Sequence, residues 1–100
     1  MEDNKVVILL NSIKQQVGKG ENIGDLDVPI CAIESVLIRC QLDVYPFMRH
    51  LKEIEVYFHR NDHSVYDVGI LVAKKMVSDL IDSIISHIET FGVINDDVEG

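Results

Sequence analysis

Apolar residues recur at helical spacing through three stretches of the chain. In residues 4–17, Val6, Leu9, Leu10, Ile13 and Val17 share one face, with Asn11, Ser12, Lys14 and Gln15 opposite. That spacing predicts an amphipathic helix. The run Val6–Leu10 is also β-prone, so a strand stays open there. Asp3 or Asn4 is placed to cap the helix and Gly18 to end it. Residues 18–27 mix glycines and acids without a period and read as a plain flexible connection.

The longest patterned block is 28–60. Ile30, Ile33, Leu37, Cys40 and Val44 trace one stripe, which Phe47, Leu51, Ile54 and Phe58 continue past Pro46. Asp27 can cap this block, and Pro29 suits a first helical turn. Pro46 lacks the N–H for a helical bond and clashes one turn back, so the helix bends or breaks near it. Two readings stand: one long kinked helix, or two helices with Asp43 as the second cap. Residues 30–38 are apolar on more than one face and need cover on more than one face. Residues 61–64 form a turn, in which Ser64 and Asp67 resemble a capping box. Residues 65–91 keep a helical period from Tyr66 to Phe91 through Ile70, Ala73, Val77, Leu80, Ile81, Ile84 and Ile88. Gly92 stands where a C-terminal glycine belongs.

These elements define an all-α fold. It is a small helical bundle, with a short N-terminal helix and a long antiparallel hairpin kinked or broken near Pro46, giving three or four helices. Residues 1–94 form one domain, and 95–100 a frayed acidic tail. The first helix is too short to cover the whole hairpin. The surplus apolar face of residues 30–38 therefore points to a partner, and a second copy of the chain is the expected one.

Composition narrows the classes. The chain has 100 residues, 47% of them hydrophobic, and a formal charge of −8. That balance excludes intrinsic disorder. The longest unbroken apolar run, Val6–Leu10, is far short of a membrane span. The N-terminus lacks the basic region of a secretory signal, so a cytoplasmic location is expected. No Lys or Arg follows Lys75, and such a surface repels nucleic acid. Cys31 and Cys40 fall on opposite sides of one predicted helix, as small buried hydrophobes, too far apart to pair.

Catalytic sets are missing from the pattern. Lys19 between Gly18 and Gly20 lacks the following Ser or Thr of a phosphate loop. His59 and His63 straddle the predicted turn, which spoils their spacing for zinc. Asp79 and Asp82 read as a solvated face. No metal and no cofactor is expected, and no enzyme activity. The expectation is a small acidic interaction protein that binds, masks or scaffolds another protein, as an inhibitor, immunity or chaperone-like regulator, and that self-associates as a homodimer. Its partner would offer a basic surface to the acidic helices. Contact candidates are Arg39, Tyr45, Phe47, Tyr57 and Tyr66, because Tyr and Arg are enriched at interfaces. The alternative is a helical oligomer that binds a small anion near Tyr45–Lys52, where Arg49, His50 and Lys52 form a local basic cluster.

Overall fold

The structure, a computed structural model, describes residues 3–21, 23–43, 45–60 and 67–92. Among these residues the fold is entirely helical. Four α-helices appear: α1 (Asp3–Lys19), α2 (Asp27–Arg39), α3 (Phe47–Arg60) and α4 (Asp67–Phe91). The predicted capping box at Ser64, the stripe residue Val44, the contact candidate Tyr66 and the tail 95–100 lie outside the described residues.

A helix, not a strand, forms from the β-prone start of the chain because its apolar positions repeat every three or four residues. Val6, Leu10, Ile13 and Val17 are buried, while Leu9 stays part-exposed at the flank of the stripe. Gly18 does not end α1, which continues to Lys19. The connection that follows contains a helical turn. A short 3-10 turn spans Ile23–Leu26, and Leu26 is fully buried. The Asp25 carboxylate accepts a hydrogen bond from the Glu21 backbone N–H at 2.7 Å. Leu26, not Asp27, is the N-cap residue of α2, without a side-chain cap bond. Asp27 sits inside the first turn, where its charge favours the helix dipole.

The break between α2 and α3 begins ahead of Pro46. Gln41 takes a left-handed conformation, φ 58°. Its N–H donates to Ile38 O at 3.1 Å, and the Leu42 N–H donates to Leu37 O at 2.7 Å. This pair of bonds is the Schellman ending, and the buried Leu37 and Leu42 supply its apolar contact. The chain then turns at Leu42–Tyr45, and the Pro46 carbonyl accepts from the His50 N–H at 2.9 Å. Pro46 thus precedes α3 and costs no helical bond. Asp43 lies too far upstream to cap it.

α4 is the spine. It packs on α1 and α3, while α2 packs on α1 and α3 from the other side. Phe47 opens α3 beside His87 near the end of α4, so these two helices run antiparallel. Lys14 meets Asp82 at 2.6 Å, and Lys74 donates to the Gly18 carbonyl at 3.1 Å, so α1 also runs antiparallel to α4. The buried core is wholly apolar among the described residues, from Val6 through Ile33, Leu37 and Leu51 to Ile84 and Ile88. At Gly92, φ is 78° and the N–H donates to Ile88 O at 2.7 Å, ending α4 in a left-handed cap.

Candidate functional site

Among the described residues, three surfaces gather the candidate contact groups, apart from further exposed hydrophobics such as Ile8 and Leu71. The first is the outward face of α2. Ile30, Ile33, Val36 and Leu37 point into the core. On the opposite side lie Val28, Cys31, Ser35 and Ile38, spaced by three, four and three residues, all exposed. Val28 is 70% exposed and Ile38 54%. This spacing keeps the four side chains in one seam along the solvent side of α2. Cys31 lies on it, so the expectation of a buried Cys31 is overturned. The reason is the apolar character of both faces of α2, which leaves periodicity unable to say which one is buried. Cys40 is buried, at the helix break.

The second surface is an aromatic cluster where α4 ends. His87 stands against Tyr45 at 4.5 Å, Phe91 at 5.0 Å and Phe47 at 5.5 Å between ring centroids. Tyr45 and Phe47 are 6.2 Å apart. These tilted and edge-on geometries suit ring quadrupoles. Phe91 lies on the core-facing line of α4, yet it is 75% exposed because it runs past the helices that cover the rest of that line.

The third is a groove of about 240 Å³ between α3 and α4. Ile54, Leu80 and Met76 make its apolar floor, and His50, Ser83, Glu53 and Asp79 its polar rim. Ile54 and Leu80 are nearly buried, and Met76 is half-buried. Asp79 also pairs with Lys75, one turn away, at 3.2 Å on the open surface.

The predicted contact residues are divided among these surfaces. Tyr45 and Phe47 join the aromatic cluster, and His50 joins the groove. Arg49 is exposed on the outer side of α3, and Arg39 is exposed in the last turn of α2 beside Ile38. Tyr57 is half-buried against the core. Lys52 is tied to Glu34 of α2 at 3.2 Å and to Glu55 at 3.7 Å. The hydrogen bond to Glu34, with the two carboxylate charges, raises its pKa above the ordinary 10.5. The basic cluster therefore does not converge: of Tyr45, Arg49, His50 and Lys52, the groove takes only His50. Sequence reasoning missed His87 and Phe91 as partners of Tyr45, and Glu53, Asp79 and Ser83 as groove walls. Only the fold brings these distant segments together.

Among the described residues no group of three or more His, Cys, Asp or Glu is placed to hold a metal ion. No helix there is long and apolar enough to cross a membrane. Comparison with models of known families, with curated proteins and with solved structures finds no match.

Proposed function

We propose that the protein is a small acidic helical interaction module. It binds, masks or scaffolds another protein in the cytoplasm, without catalysis, and it self-associates through α2. The observation that carries this reading is the outward seam of α2: Val28, Cys31, Ser35 and Ile38 in coiled-coil spacing on an element whose other face is already packed. Burying Val28 and Ile38 against a second copy removes apolar area worth about 25 cal/mol per Å². A helix of 13 residues offers fewer than two heptads, so the dimer is weak and concentration-dependent. The lone Ser35 on the seam lowers affinity further. The carboxylates at the groove and the pairing of Lys52 weigh for a protein partner over a small anion.

The test is co-expression of two differently tagged copies. Recovery of the second copy with the first is expected, and Val28→Glu/Ile38→Glu in both copies should abolish it while helicity is kept. Recovery unchanged by the double substitution would place the contact elsewhere and remove the support for this reading.

A further inference from the structure

The groove between α3 and α4 is separate from the α2 seam and has its own chemistry. Its walls come from two helices, with Glu53 on α3 and Asp79 on α4, above a floor of Ile54, Leu80 and Met76. One turn further along α4 from Ser83 stands His87, in contact with Tyr45, Phe47 and Phe91. Groove and aromatic cluster thus form one strip along the α3–α4 seam. From Met76 to His87 the strip covers about 16 Å, the length of three helical turns.

We infer that this strip receives a basic amphipathic helix of a partner protein. The inference rests on the interaction reading and specifies the partner's chemistry. Apolar side chains of that helix meet Met76, the half-buried member of the floor, which adapts to their shape. A Lys or Arg on its flank sits between the two carboxylates, one from each wall. A cation there exchanges with Lys75, whose bond to Asp79 is exposed and held at small cost. The net charge of −8 draws such a helix in and repels acidic competitors. An aromatic end beside the groove supplies large contact area with little side-chain entropy to lose. A helix in a groove is a recurrent mode of peptide recognition, read through apolar anchors one turn apart.

The experiment uses the full chain and a defined probe, a 14-residue capped amphipathic peptide of leucine and lysine carrying a fluorophore. Binding is followed by anisotropy at near-physiological salt. Glu53→Gln/Asp79→Asn should weaken it about tenfold or more, the size expected for two lost charge contacts. Asp27→Asn/Glu89→Gln removes the same charge away from the groove and should change affinity less than about twofold. Amide shifts on titration should map to Ile54, Met76 and Ser83. Equal weakening by both pairs, shifts centred on α2, or no saturable binding would overturn the inference. A chain that still dimerises through α2 but ignores the peptide disproves the groove alone. A chain that takes the peptide while remaining a monomer disproves the self-association reading alone.

Discussion

Gln41 holds the left-handed position that ends α2, at φ 58°. A side chain costs about 1 kcal/mol in that region, and glycine avoids the cost. Gln41→Gly should therefore raise stability by about 0.5 kcal/mol, after the greater freedom glycine gives the unfolded chain. A rise in the urea midpoint at constant slope is the readout. Lys52 carries a pH signature. Its folded pKa lies above the ordinary 10.5 because Glu34 and Glu55 favour its charged form. The stability it contributes is complete below that ordinary value and is lost as pH rises through the folded one. Because the pair is exposed the effect is small, and urea titrations at alkaline pH should show a slightly smaller loss for Lys52→Met than for the natural chain. Cys31 gives a third test. It is exposed on the α2 seam, whereas Cys40 is buried. At low concentration a thiol reagent should label Cys31 at once and Cys40 only on unfolding. Labelling of Cys31 should slow as concentration rises and the seam becomes covered.

At the scale of elements, α4 and the inward face of α1 were legible because one apolar stripe faces one polar one. Gly92 was legible for the same kind of reason, since the last turn needs a left-handed residue and glycine supplies it at no cost. The end of α2 was not. Its left-handed position is filled by Gln41, which carries no sequence signal, while Pro46 carries a strong one and sits harmlessly ahead of α3. Leu26 was hidden too, a single buried leucine among glycines and acids. The two glycines that flank Lys19 should respond oppositely. A Cβ on Gly18, inside α1, meets no atom within 4 Å. Gly18→Ala should then gain about 0.5–1 kcal/mol of helix propensity. At Gly20 a Cβ would lie 3.2 Å from the Asp25 Cβ, and Gly20→Ala should gain nothing or lose stability. Thermal melts of the two variants separate these outcomes.

For the whole molecule, a bundle of 50 × 22 × 21 Å exposes much surface for its core. α1 shields α4 on one side and α3 on the other, and α2 closes the gap between α1 and α3, leaving its own outer face bare. The candidate site was partly legible. Of the apolar residues in 30–38, Ile30, Ile33, Val36 and Leu37 went into the core, while Cys31 and Ile38 stayed exposed; the groove and the aromatic cluster depend on α3 and α4 lying side by side. Sequence spacing cannot bring His50 beside Ser83, or Tyr45 beside His87. The central claim is that the outer face of α2 is an interface. Sedimentation velocity over a wide concentration range tests it most directly, on the natural chain and on Val28→Glu/Ile38→Glu. The natural chain should pass from 11.3 kDa toward twice that mass as concentration rises, and the variant should stay at the lower mass with its helices intact. A natural chain that remains a monomer throughout, or a variant that dimerises as well as the natural chain, would contradict the account.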